Sequence, residues 1–248
     1  MHLSTSDRVL EIGPGRGALT ALLLEELSGL MAVELDDELA EVLETQFGKK
    51  LTLYRDDVLN LNIRSLAVDT EAGLRIVGNI PYNITSPILF WIIDSSRFVA
   101  DSTLMMQREV AQRLIARPRT KDYGILSVLT QYYSNPKILF TVSAGSFHPA
   151  PDVQSAVVSL NFNSRPNVRV SNDALFRAVV RGTFGKRRKT LRNGLRGMSV
   201  PPDALKELSI DLDRRPEELS VKEFTDLSNE LHGMNINVKF NESSVAHG

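Results

Sequence analysis

The segment Asn79-Ile80-Pro81-Tyr82 has the chemistry of a site that handles an amino nitrogen on a flat base. The Asn79 amide oxygen and the Ile80 backbone carbonyl can accept the two N–H bonds of an exocyclic amine. They would aim its lone pair and stabilise the positive charge the nitrogen gains on alkylation, without a strong base. Pro81 stiffens the backbone, and Tyr82 offers a ring face on which an extruded base can stack. Taken alone, these four residues equally allow an Asn-x-Pro turn beside a core tyrosine.

A second group, Glu11-Ile12-Gly13-Pro14-Gly15-Arg16-Gly17-Ala18, stands where an apolar run ends and a helical pattern begins. Glycines there permit a tight turn and a close backbone approach to a ligand, and a helix N-terminus offers unpaired N–H groups. Glu34 follows Glu11 by 23 residues, where a carboxylate can accept from both hydroxyls of a ribose. The same glycines also satisfy the dinucleotide fingerprint of an NAD-dependent oxidoreductase, or merely tighten a strand–helix junction. Two details favour a cationic nucleoside ligand: Glu11 precedes the first glycine, and Pro14 removes a donor that a pyrophosphate would need. S-adenosylmethionine, with a sulfonium, an ammonium and no phosphate, fits that description. In Asp56-Asp57-Val58-Leu59, the Asp57 carboxylate would accept from the adenine amine, a helix cap or Asx turn being the alternative.

These groups need a frame that brings distant loops to one edge. Short apolar or β-branched runs at 8–12, 30–34, 51–54, 74–78, 102–106, 138–142 and 153–162 predict strands. Helical spacing over 18–27, 37–47, 84–93, 109–115 and 125–133 predicts helices between them. Strand alternating with helix predicts an α/β fold with a mostly parallel sheet, and the last two strands predict a terminal hairpin. Every motif above then falls at the carboxyl edge of the sheet. From residue 172 the pattern is helical only, over 173–184, 189–195, 202–208 and 221–231. The domains expected are 1–163 for the sheet and 164–232 for an all-helical C-terminal domain, with 233–248 a loose tail.

The 248 residues include 42% hydrophobic and 24% charged residues and no cysteine, which excludes disulfide frameworks, thiolate metal sites and a cysteine nucleophile. None of the four histidines pairs with another at ligand spacing, so no metal is expected. No apolar stretch reaches the ~18 residues of a membrane span, and a cytoplasmic protein without membrane contact is expected. The formal net charge of -1 argues against a nucleic-acid partner only on average. Residues 1–60 carry five basic and twelve acidic side chains, whereas 164–200 carry ten basic and one acidic. That second segment, with Arg181, Lys186, Arg187, Arg188, Lys189, Arg192 and Arg196, has the density of a phosphate-backbone contact; a solvated helix face is the ordinary alternative.

Six ordered motifs, from residue 8 to about 231, resemble the ribosomal RNA adenine dimethyltransferase family, in the branch acting on small-subunit rRNA. They are 11–17, Glu34, Asp57, Asn79 to Tyr82, Phe147-His148-Pro149-Ala150-Pro151-Asp152-Val153-Gln154-Ser155, and Phe184-Gly185-Lys186-Arg187-Arg188-Lys189-Thr190-Leu191-Arg192-Asn193. The resemblance implies a class I, Rossmann-like methyltransferase sheet that uses S-adenosylmethionine to dimethylate N6 of two adjacent adenines near the 3′ end of a 16S-type rRNA. Glu11, Gly13, Gly15, Gly17, Glu34, Asp57 and Asn79 would bind the cofactor. Asn79, Ile80, Pro81 and Tyr82 would hold the target base, and Phe147 would cover its other face. Bottom-up, Phe147 serves equally well as a lid on the core. A monomer acting on a small-subunit precursor particle in ribosome biogenesis is expected.

The family also carries an upstream segment with a Gln-x-Phe-Leu-like motif, and nothing matching it occurs in these residues. Its lack predicts weaker cofactor binding and reduced turnover, restored with the segment. A catalytically silent rRNA-binding assembly factor is the alternative function. The antibiotic-resistance branch acting on large-subunit RNA fits less well with a pI near 6.4.

Overall fold

The run Val9–Ile12 is buried along its whole length, as a central parallel strand must be when helices cover both of its faces. It forms β1 of the computed structural model, in which residues 2–68, 72–147, 152–164, 168–185, 190–236 and 238 are described. There follow α1 (Ala18–Glu26), β2 (Leu30–Glu34), α2 (Asp37–Phe47), β3 (Leu51–Arg55), α3 (Ile63–Leu66), β4 (Leu74–Asn79), α4 (Thr85–Asp94) and β5 (Val99–Gln107). Then come α5 (Arg108–Leu114), α6 (Ile125–Tyr133), β6 (Asn135–Val142) and β7 (Ser155–Asn161). Among the described residues no helix is long and apolar enough to cross a membrane.

The seven strands lie in the order β3-β2-β1-β4-β5-β7-β6. The first five are parallel, while β7 runs antiparallel between β5 and β6. From β1 the chain winds outward to β2 and β3, then returns to β4 on the other side. Right-handed crossovers taken in opposite directions put the helices on opposite faces. They also leave a crevice between the carboxyl ends of β1 and β4, where open α/β sheets bind ligands.

The β1–β4 contact is close because of one residue. Gly78 faces Ile12 in register, and a Cβ there would lie 2.6 Å from the Ile12 carbonyl oxygen. At the other end of β4, Arg75 pairs with Asp7 and Asp101, each at 2.7 Å, and donates to the His2 carbonyl. This ties the first residues to the sheet.

The expected elements are present, with differences that have physical reasons. β5 starts three residues early, because pairing with β4 and β7 on both sides overrides the polar Asp101 and Ser102. β6 also begins early, at Asn135-Pro136, since an edge strand tolerates a proline. The single-turn α3, capped by Asn62, is too short to show periodicity.

Backbone contacts divide the chain into two units, residues 1–112 with 133–165 and residues 113–132 with 166–248. The segment 113–132, expected within the sheet domain, therefore goes with the C-terminal helices α7 (Asp173–Phe184), α8 (Leu191–Gly197), α9 (Pro202–Glu207) and α10 (Val221–Gly233). Its buried aromatics explain this. The Tyr123 hydroxyl donates to the Leu219 carbonyl at 2.7 Å, and the Tyr132 ring packs on Phe176 with centroids 4.4 Å apart. Within the helical unit α7 and α8 cross closely, a Cβ on Gly194 falling 3.0 Å from the Thr183 Cα. A capping box between Ser220 and Glu223 starts α10, and Arg214 beside Glu223 holds that carboxyl down at about 2. The expected tail 233–248 lies outside the described residues, apart from 233–236 and 238.

Candidate active site

Gly13, Gly15 and Gly17 all have positive φ, of 63°, 57° and 81°, a backbone that other residues adopt only with strain. The turn is closed by Gly17 N–H donating to Pro14 and is fixed to β2 by Gly13 N–H donating to Val33 at 3.0 Å. The three glycines serve different ends. A Cβ at Gly17 would strike the Phe47 ring at 2.6 Å, so this glycine lets α2 pack on the loop. At Gly15 a Cβ would meet nothing within 4 Å, and the loop surface there is open. Gly13 faces across the crevice, its Cβ position 3.9 Å from the Asn79 carbonyl oxygen. No side chain caps the start of α1, whose first turn holds no acidic residue.

Glu34 ends β2 with its carboxylate held by the backbone. Oε2 accepts from Gly15 N–H, and Oε1 accepts from Leu35 and Asp36 N–H. The next residue, Leu35, is 72% exposed, an apolar side chain at the same edge that sequence reasoning did not single out. Asp57 lies two residues beyond the end of β3, the strand beside β2. Its Oδ1 caps the turn Val58–Asn60 by accepting from Leu59 N–H, so the capping role the sequence left open is present in the structure.

Glu11 is placed differently from these. It is 2% exposed, inside the sheet rather than on the loop, and accepts from Thr20 Oγ1 of α1 at 2.7 Å. Burial pushes its carboxyl up to about 7, only partly opposed by the Thr20 hydrogen bond.

Across the crevice, Asn79 is the exposed last residue of β4, and Ile80 is buried with its N–H donating to Met105 of β5. The Pro81 carbonyl accepts from Ile84 N–H and Thr85 Oγ1, which fixes the turn into α4. The Tyr82 hydroxyl lies 2.6 Å from Ser155 Oγ, the first residue of β7. Phe147 is half-buried, following the turn Ala144–Ser146 after β6, and residues 148–151 lie outside the described residues. The structure thus brings the glycine loop, Glu34 and Asn79 to one edge of one sheet.

In the helical unit, Arg181 is in the last turn of α7, Arg196 is exposed in the last turn of α8, and Arg192 pairs with Asp213 at 3.2 Å. Lys186, Arg187, Arg188 and Lys189 lie outside the described residues. Arg113, Arg117, Arg119 and Lys121 belong to the same unit and are exposed. Four basic residues with no acidic one between 113 and 121 is a signal the sequence holds, and reading 113–132 as part of the sheet domain hid it.

The ribosomal RNA adenine dimethylase model matches residues 1–232. The chain is 42% identical over 229 residues to ribosomal RNA small subunit methyltransferase A of Saccharophagus degradans, covering 91% of this chain and 84% of that protein. It is 44% identical over 230 residues to the protein of that name from Chlorobium phaeobacteroides, covering 93% and 85%. Among solved structures, a dimethyladenosine transferase from Plasmodium falciparum superposes with TM-score 0.75 at 25% identity, covering 94% of this chain and 93% of that one. The 23S rRNA methyltransferase ErmE shares the fold, with TM-score 0.66 at 24% identity and 93% of each chain covered. A family match over nearly the whole chain, with the glycine loop and the Asn79 turn at one sheet edge, places it: this protein belongs to the ribosomal RNA adenine dimethylase family.

Proposed function

We propose that this chain methylates adenine N6 in small-subunit ribosomal RNA, twice on each of two adjacent adenines near the 3′ end, with S-adenosylmethionine as donor. The observation that carries this reading is the position of Asn79-Ile80-Pro81-Tyr82 across the β1–β4 crevice from the Gly13–Gly17 loop. Two features support this donor: the loop is open at Gly15, and the Glu34 carboxylate at the end of β2, held beside that loop by Gly15 N–H, would accept from a ribose. Asp57 and the exposed Leu35 would hold the adenine end of the donor. Bound S-adenosylmethionine supplies a methyl group activated by its sulfonium.

The protein's part is positioning and charge stabilisation. Asn79 Oδ1 and the Ile80 carbonyl accept the N–H bonds of the target amine, turn its lone pair toward the methyl group and stabilise the cation that forms. Tyr82 stacks on one face of the base and Phe147 on the other. Glu11, buried beside Thr20, would favour a cationic ligand once its carboxyl ionises, above about pH 7. Arg181, Arg192 and Arg196, the stretch 186–189, and the newly noted Arg113, Arg117, Arg119 and Lys121 would grip rRNA phosphates, as a monomer on a small-subunit precursor particle in the cytoplasm.

The test is transfer of tritium from S-adenosylmethionine to undermethylated small ribosomal subunits, with Asn79→Ala alongside. Label appearing as N6-dimethyladenosine, and lost in the variant, is the expected result. No transfer, or full transfer by Asn79→Ala, overturns the reading.

A further inference from the structure

Ser155 is fully buried although it lies at the ligand-binding edge of the sheet. As the first residue of β7 it pairs with Gln107 of β5 on one side and Val142 of β6 on the other. The residue before it is held as well: Arg108 N–H donates to the Gln154 carbonyl at 2.9 Å, and Arg108 Nη1 donates to Gln154 Oε1 at 2.6 Å. A hydroxyl on so fixed a stretch of backbone is a rigid anchor, and it meets the Tyr82 hydroxyl at 2.6 Å. Tyr82 itself is only half-buried, in the turn between β4 and α4.

A tyrosine side chain in such a turn has two soft torsions; the phenol oxygen lies on the axis of χ2, so fixing it at the far end holds χ1 and with it the direction and position of the ring. We propose that Ser155 is a positioning residue for methyl transfer: by holding the Tyr82 hydroxyl it fixes the position and long axis of the ring against which the target base stacks. This rests on the function proposed above, because the ring's orientation matters only if a base lies on it. The pair joins two segments 73 residues apart, the turn that binds the amine and the strand that follows Phe147. One hydrogen bond thus orients Tyr82 relative to the segment carrying the opposite wall of the base pocket. A preset wall acts on the reacting geometry rather than on donor binding, so its loss belongs in kcat.

The experiment is steady-state methyl transfer to undermethylated small subunits by the unsubstituted chain, Ser155→Ala, Tyr82→Phe and the double variant, with melting temperatures recorded for each. Ser102→Ala serves as control, since Ser102 is equally buried in β5 and its hydroxyl has no partner among the described residues. Each of Ser155→Ala and Tyr82→Phe is expected to lower kcat about tenfold with KM for S-adenosylmethionine unchanged, in keeping with one lost hydrogen bond. The double variant should fall no further than either single, and Ser102→Ala should keep full kcat.

Wild-type kcat in Ser155→Ala, losses that multiply in the double variant, a change confined to KM, or an equal loss in Ser102→Ala would each overturn the proposal. Should Ser155→Ala fail to fold, wild-type kcat in Tyr82→Phe overturns it alone. Absence of transfer by the unsubstituted chain would remove the functional reading and this role with it, whereas transfer indifferent to the two hydroxyls removes only the positioning role.

Discussion

The backbone N–H of Gly15, at the tip of the glycine loop, donates to Glu34 Oε2 at 3.1 Å, joining the loop after β1 to the end of β2. With Leu35 and Asp36 N–H on the other oxygen, three backbone donors aim one carboxylate before any ligand arrives. Such preorganisation lowers the ordering cost of binding.

If Glu34 holds the ribose as proposed, removing its carboxylate should cost cofactor affinity directly. Glu34→Ala should raise the Kd for S-adenosylmethionine about 10- to 100-fold, the usual worth of hydrogen bonds to a charged group, and Glu34→Gln should recover part of it. Isothermal titration calorimetry reads both values. An unchanged Kd in Glu34→Ala would take the ribose away from this residue.

Two glycines of the site should separate stability from binding. In Gly78→Ala the new methyl meets the Ile12 carbonyl oxygen at 2.6 Å, and neither strand backbone can yield without breaking register. The cost should reach the upper part of the ~1–3 kcal/mol typical of overpacking, read as a lower urea midpoint. Gly15→Ala meets open space, so only the left-handed backbone resists it, at about 1 kcal/mol. Its larger effect should be a weaker Kd for S-adenosylmethionine, because the methyl occupies the surface offered to the ligand.

Glu11 makes stability depend on pH in an unusual direction. Its folded carboxyl titrates at about 7 against an ordinary 4.5, so between those values the folded state keeps a proton the unfolded chain has released. The stability it contributes is full below pH 4.5 and is lost as pH rises to about 7, a loss on the order of 3 kcal/mol. Glu11→Gln, which keeps an acceptor for Thr20, should abolish that decline and exceed the parent in urea midpoint at about pH 8. Parallel pH profiles for the two proteins would count against a buried, uncompensated carboxylate.

Rather than redirecting specificity, the basic residues of the helical unit should act uniformly on RNA affinity. Replacing both Arg192 and Arg196 with Gln should weaken binding across RNA sequences and make the slope of log K against log salt shallower by about 2. Filter binding over a salt series measures this. Arg117 and Arg119, exposed in the same unit, should behave alike if that segment also meets phosphate.

Most of what places the site is visible in local residue patterns. β1, β2 and β4 read clearly because each is a short apolar run closed by a residue of special chemistry: Ile12 by Gly13, Val33 by Glu34, Gly78 by Asn79. The Asn79 turn and the glycine loop could be paired from sequence because both follow strands in a doubly wound pattern. What stayed hidden depends on contacts between distant segments. Nothing near Glu11 announces that its carboxyl faces Thr20 in the interior rather than the loop surface. Nothing near residue 123 shows that Tyr123 reaches Leu219 and draws 113–132 into the helical unit. Ser155 stood in a motif already singled out, but its partner lies in another one.

The insertion of β7 between β5 and β6 also sets an order in time. The residues from Glu11 to Asp57 lie on the first three strands and their loops, which leave the ribosome early, and only β1 among these strands needs a later partner, β4. Tyr82 must wait for Ser155, the opening residue of the last strand made and the one that has to enter between two others. During synthesis the Tyr82–Ser155 hydrogen bond can therefore form only after β7 has entered the sheet, which makes the setting of Tyr82 a late step of folding.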